Sequence, residues 1–141
     1  MKTFTCLEIC AGAGGQALGL EQAGFKHAAL LEIEADPCAT LKKNRPEWNV
    51  LRQDVRTFDG KPFADKIDLF AGGVPCPPFS VAGKQLGADD ERDLFPEALR
   101  LIDEIKPRAV LLENVRGFDG AKFRPYLKRI YKHLHKAYVP G

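Results

Sequence analysis

Cys76 is the residue most suggestive of chemistry. It stands in the run Pro75-Cys76-Pro77-Pro78-Phe79-Ser80, with one proline before it and two after. Proline locks its own φ and restricts the residue that precedes it. Such a frame holds a thiol at a set angle, which a nucleophile uses and a packed cysteine does not need. The plain alternative is a tight proline turn with an incidental cysteine. Glu113 comes 37 residues later, at the end of the apolar run Ala109-Leu112. A carboxylate there is costly unless hydrogen-bonded or put to use; capping the next turn is the simple alternative. A third feature is Ala11-Gly12-Ala13-Gly14-Gly15, whose glycines let the backbone turn sharply and come close to a ligand. Glu34 lies 19 residues after Gly15, the distance at which a Rossmann acid reaches ribose hydroxyls. Gly12-x-Gly14-x-x-Ala17 would also pass for a dinucleotide fingerprint, so an NAD-linked dehydrogenase stays open on spacing alone, although it leaves Cys76 and Glu113 unexplained.

These groups need elements to position them. Phe4-Cys10, Ala28-Ile33, Asn49-Arg52, Ile67-Ala71 and Ala109-Leu112 read as strands, bounded by Gly, Pro or acidic residues. Gly15-Ala23 and Pro37-Lys43 read as helices, the second opened by Asp36 as N-cap and Pro37 at the first helical position. Leu94, Ala98, Leu101, Ile102 and Ile105 share one face at helical period and predict a helix over Phe95-Ile105. A last helix near Ala121-Lys136 lines up Phe123, Tyr126, Leu127, Ile130 and Leu134. Strands alternating with helices predict an α/β doubly wound fold with a mostly parallel sheet covered on both faces. Every candidate residue follows a strand, where ligands collect in such sheets.

Composition narrows the field. The chain has 141 residues, 45% hydrophobic and 28% charged, which suits one soluble globular unit with a real core. The longest apolar runs are four residues, far short of a bilayer span, and Glu8 interrupts any candidate secretion signal; a cytoplasmic protein is expected. Cys6, Cys10, Cys38 and Cys76 show no CxxC pair and no metal-ligand spacing with His27, His133 or His135, so no metal is expected. Net charge is +2, but the last 21 residues carry +6 and the first 120 carry −4. A basic end can touch nucleic acid, and equally it can be the solvated face of a helix, the reading retained here.

Phe4-Phe25 (FTCLEICAGAGGQALGLEQAGF), the Pro75-Ser80 loop with Gly83-Lys84-Gln85, and Glu113-Asn114-Val115 together resemble the ordered motifs of cytosine-5 DNA methyltransferases, across residues 4 to about 118. The resemblance implies a Rossmann-like methyltransferase fold and transfer of a methyl group from S-adenosylmethionine to C5 of cytosine. By it, Cys76 is the nucleophile that attacks C6, and Glu113 the acid that contacts N3 and the exocyclic amine. Cys10, Ala11, Gly12, Gly14, Gly15, Ile33, Glu34, Asp54, Val55, Gly72, Pro75 and Leu94 are implied to bind the cofactor, with the loop ending at Gly15 around its methionine part, Glu34 on ribose, and Asp54 and Val55 at adenine. Gly83-Asp93 resembles the mobile catalytic loop. The partner implied is double-stranded DNA with a flipped cytosine.

Two positions depart from the family pattern: Pro77 replaces a side-chain amide, and Ala35 an aromatic residue that would stack on the cofactor. The family's arginine-bearing motif, target-recognition domain and closing segment are absent, so the chain resembles the N-terminal half of a bacterial or phage-type enzyme. Two expectations follow: a complementary subunit, or self-association through the strand at Ala109-Leu112. The same motifs leave open methylation of tRNA, and a folded fragment without activity.

Overall fold

The computed structural model describes residues 3–75, 93–121 and 123–138. Five parallel strands form one sheet: β1 (Phe4–Ile9), β2 (Phe25–Glu32), β3 (Val50–Arg52), β4 (Leu69–Gly73) and β5 (Ala109–Glu113). Their order is β3-β2-β1-β4-β5. The chain therefore leaves β1 in one direction to build β2 and β3 and returns to the other side for β4 and β5. The crevice between β1 and β4 is the switch point of a doubly wound sheet.

Helices α1 (Gly15–Gln22) and α2 (Ala35–Asn44) cover one face, and α3 (Phe95–Ile105) and α4 (Arg124–Tyr138) the other. The strand alternation sets this division. Leu7, Ile9, Ala29, Leu31 and Phe70 turn toward Ala98, Leu101, Ile102 and Ile105 of α3. Leu30 packs with Ala17, Cys38 and Leu41, while Cys6, Leu69 and Ala71 pack with Leu20. Each fully buried aliphatic side chain contributes roughly 1.5–3 kcal/mol. The face of α4 expected from its periodicity, Phe123 to Leu134, lies against the main core, leaving its cations outward. Beneath it, Phe95, Phe118 and Tyr126 form an aromatic cluster, the first two stacked with centroids 5.0 Å apart.

Several boundaries differ from the sequence reading; β4, for one, runs from Leu69 to Gly73 rather than from Ile67 to Ala71. β2 begins at Phe25 rather than Ala28, because Phe4 pairs with Phe25 and Ala28 is the extra residue of a bulge opposite Cys6 and Leu7. α2 begins at Ala35 with Glu34 as N-cap, so Pro37 falls third in the helix. Its missing N–H costs nothing there, since first-turn amides have no intrahelical acceptor. α4 begins at Arg124 rather than Ala121.

β5 forms one edge of the sheet. Val110 and Leu112 reach the main core, while Ala109, Leu111 and Glu113 point to the side of α1 and stay exposed, Leu111 at 44%. Parallel strands are ordinarily covered on both faces, so among the described residues this corner is open on its edge and on one face. Among the described residues, no helix is long and apolar enough to cross a membrane.

Candidate active site

Four strand ends and the start of α3 enclose a cavity of about 320 Å3. Cys10 follows β1; Leu31, Glu32 and Ile33 come from the end of β2; Gln53 to Arg56 follow β3; Gly73 and Pro75 follow β4; Leu94 caps α3. The first wall is shaped by a sharp turn. Cys10 adopts φ +52 and Gly12 φ +54, Ala11 donates its N–H to the Leu31 carbonyl at 3.0 Å, and Gly14 donates to the Ala11 carbonyl at 3.1 Å.

The second wall depends on Glu32, which is 8% exposed. Its Oε2 accepts the Gly12 N–H at 2.7 Å, and its Oε1 accepts the N–H groups of Ile33 and Glu34 at 2.8 and 2.9 Å. The third wall is a short helical turn over Val55–Thr57, capped by Asp54, whose Oδ1 accepts the Arg56 N–H at 2.9 Å. Arg100 of α3 supports it from behind, donating to the Val55 carbonyl at 3.0 Å and the Phe58 carbonyl at 3.2 Å. Ion pairs with Glu97 at 2.7 Å and Glu104 at 2.8 Å hold that guanidinium in place.

Of the residues expected from sequence, Cys10, Ile33, Asp54, Val55, Pro75 and Leu94 line the cavity together. Ala11 and Gly12 support it through their backbone bonds. Gly14, at φ +97, faces a groove between α1 and α2 beside Leu41 and Trp48, and Gly15 opens α1. Gly72 packs in the sheet, where a Cβ would come within 2.7 Å of Ile9 Cγ1; its neighbour Gly73 is the lining residue. Glu34 is exposed just beyond Ile33 and does not line the cavity. Leu31, Glu32, Gln53, Arg56 and Arg100 were not anticipated. A second acid two residues before Glu34 was the one available signal.

Glu113 ends β5 in register with Gly73 of β4, its Oε2 3.4 Å from where a Gly73 Cβ would stand. Asn114 ties this corner down: its Nδ2 donates to the Val74 carbonyl at 2.7 Å and its Oδ1 accepts the Val115 N–H at 2.8 Å. Cys76, Pro77 and the stretch to position 92 lie outside the described residues. The other cysteines are poor nucleophiles. Burial, then the Glu8 charge, pushes the Cys6 thiol up to about 12. Burial, then the carboxylates of Glu32, Asp54 and Glu8, pushes Cys10 up to about 11. Burial also raises Cys38. All three stay protonated near neutrality, and it is the thiolate that attacks.

Fold and cavity thus define a class: a doubly wound, Rossmann-like α/β protein with a ligand-sized pocket at its switch point. Comparison with known proteins identifies the family. Residues 4–138 match the family described as C-5 cytosine-specific DNA methylase, and the chain belongs to it. It is 65% identical over 133 residues to the type II methyltransferase M.NgoMIV of Neisseria gonorrhoeae, covering 94% of this chain and 42% of that protein. It is 50% identical over 137 residues to M.NaeI of Lentzea aerocolonigenes, covering 96% of this chain and 33% of that one. Among solved structures, a DNA modification methyltransferase encoded within an E. coli prophage superposes with a TM-score of 0.76 at 26% identity, over 94% of this chain and 38% of that one. A mutant of Spodoptera frugiperda DNMT2 gives 0.71 at 26%, over 92% and 41%. The chain therefore spans less than half the length of these relatives. Its methyltransferase class and Rossmann-like fold agree with expectation.

Proposed function

We propose that this chain is the cofactor-binding and nucleophile-bearing part of an enzyme that methylates C5 of cytosine in DNA. The observation that carries the reading is the pairing of Gly73 with Glu113, locked by Asn114 onto Val74. It sets the strand-end acid beside the chain that runs into Pro75 and Cys76. Three residues past Gly73, Cys76 is tethered within about 11 Å of it by chain length alone.

The cavity suits S-adenosylmethionine, whose bound sulfonium supplies the methyl group. Leu31, Ile33, Val55 and Leu94 offer apolar walls for a planar heterocycle. Asp54 offers acceptors for polar hydrogens at its edge, and of the two acids at the end of β2 it is Glu32 rather than Glu34 that lines the pocket and can meet ribose hydroxyls. Cys76, as thiolate, adds to C6 of the cytosine; the C5–C6 electron pair moves onto C5 and the ring toward N3, where Glu113 stabilises the charge. C5 then takes the methyl group, with S-adenosylhomocysteine as the leaving group, loses its proton to water, and the thiolate leaves as the C5–C6 double bond reforms. Dividing one hard substitution into covalent steps is the reason to spend a nucleophile. The cytosine must leave the duplex stack to reach Cys76. The open edge and face of β5 suit the remaining part of such an enzyme, supplied by a complementary polypeptide or by a second copy.

The test is transfer of labelled methyl from S-adenosylmethionine to duplex DNA, with tRNA in a parallel arm, by the chain alone and with the C-terminal part of M.NgoMIV. The reading expects label in DNA that disappears with Cys76→Ala. Label retained in that variant contradicts the nucleophile, and label in tRNA only contradicts the substrate.

A further inference from the structure

The methyl-transfer reading gives α4 no task beyond covering the sheet, yet one of its side chains reaches toward the wall of the pocket. Asp93 stands just before α3 and is 7% exposed. A carboxylate so buried needs donors, and two are present among the described residues. Its Oδ1 accepts the Phe95 N–H at 3.0 Å, and its Oδ2 accepts the hydroxyl of Tyr126 from α4. The residue between Asp93 and Phe95 is Leu94, which lines the cavity. Leu94 caps α3 with a non-helical backbone, φ −99 and ψ 2. A leucine side chain cannot accept from the first-turn amides, so Asp93 does that work from one residue earlier. The place of Leu94 therefore depends on how firmly its two neighbours are held.

We propose that Tyr126 is a positioning residue: by holding the Asp93 carboxylate it fixes Leu94 and so presets one wall of the cofactor pocket. The tyrosine can serve as a fixed post because its own ring is held. The rings of Phe95 and Phe118 meet it edge-on, with centroids 6.0 and 6.2 Å away, and the Arg129 guanidinium sits over it, 5.3 Å from its centroid. Edge-to-face aromatic pairs and a cation over the ring both favour this orientation. A hydrogen bond to a carboxylate is stronger than one between neutral groups, which suits a link between elements 33 residues apart in sequence. Phe118 also stacks on Phe95 and donates its N–H to the Val115 carbonyl at 2.9 Å. The cluster therefore backs the turn after Glu113 and Asn114 as well as the start of α3. The inference rests on the cofactor reading of the pocket.

The experiment combines calorimetric titration of S-adenosylmethionine into the 141-residue chain with amide hydrogen exchange at Phe95, for wild type, Y126F, D93A, D93N and I130V. Y126F keeps the ring and removes only the donor. In D93N the side chain can still accept from Phe95 through Oδ1 and donate through Nδ2 to the Tyr126 oxygen, so both links survive with one direction reversed. I130V thins the buried face of the same helix, 5% exposed at that position, without touching the anchor. Expected are slow Phe95 exchange in wild type, faster exchange in Y126F and D93A, and a Kd weakened roughly threefold to tenfold in both. D93N and I130V should bind as wild type does. Fast Phe95 exchange in the wild-type chain overturns the anchor without recourse to any variant. So does Y126F that binds as tightly as wild type, or D93N that binds as weakly as D93A. I130V as weak as Y126F overturns it too, since the loss then belongs to the stability of α4. Should D93A fail to fold, Y126F decides alone. A wild-type chain that binds no S-adenosylmethionine overturns the cofactor reading, while Phe95 exchange in Y126F still decides whether the anchor exists.

Discussion

Glu8 gives the sharpest thermodynamic prediction. It sits in the central strand, flanked by Leu30 of β2 and Ala71 of β4, at 1% exposure, and its Oε2 has no hydrogen-bond partner among the described residues. Burial alone pushes its carboxyl from the ordinary 4.5 up to about 7. A folded-state value above the unfolded one means folding favours the protonated form. The associated stability is fully present below about pH 4.5 and is lost as pH rises through about 7, levelling off beyond. At about 1.4 kcal/mol per unit the loss amounts to about 3 kcal/mol, with no discount for solvent screening at this burial. Glu8→Gln removes the ionisation at nearly constant volume. Urea unfolding of both proteins from pH 4 to 8 should therefore give curves that diverge with pH, the variant being more stable at pH 8 by up to about 3 kcal/mol, a midpoint shift of about 1 M or more. Because the other titrating groups are common to both proteins, the difference isolates Glu8. Parallel curves, or a variant that loses ground as pH rises, would refute the reasoning.

Other consequences follow from single contacts. Gly14→Ala puts a Cβ at φ +97 and 2.6 Å from Leu41 Cδ2, a core side chain; a loss of ~1–3 kcal/mol is expected by thermal or urea unfolding, and an unchanged midpoint would contradict the geometry. Asn114→Ala removes the donor to the Val74 carbonyl and should cost ~1–3 kcal/mol, along with methyl transfer if that corner aligns Glu113; full activity in a folded variant would count against the alignment. Ile102→Ala, at 1% exposure in the main core, should cost ~2–5 kcal/mol in unfolding measurements.

Much of this was legible in the residues. The strands announced themselves as short apolar runs, and α3 and α4 as faces at helical period, because burial imposes those patterns directly. Boundaries were less visible where tertiary pairing decides them. Phe25 joins β2 because Phe4 needs a partner, and nothing local marks Ala28 as a bulge. In the pocket, Asp54 could be expected from its place after a strand, and Val55 from the family resemblance. Glu32 could not be told from Glu34: both are acids at one strand end, and only the fold turns the first inward onto the Gly12 amide. Arg100 was hidden for a similar reason, since its bonds to the Val55 and Phe58 carbonyls span more than 40 residues. Gly12 and Gly14 looked equivalent in the motif, yet one meets Glu32 and the other meets Leu41.

The central claim is that the cavity over β1 to β4 takes S-adenosylmethionine. Its most direct test is calorimetric titration of that compound into the purified chain, with NAD as control and Asp54→Ala as the pocket variant. The account predicts saturable one-to-one binding of S-adenosylmethionine, weakened in the variant, and no heat from NAD. Binding of NAD instead, or S-adenosylmethionine binding indifferent to Asp54, would contradict it.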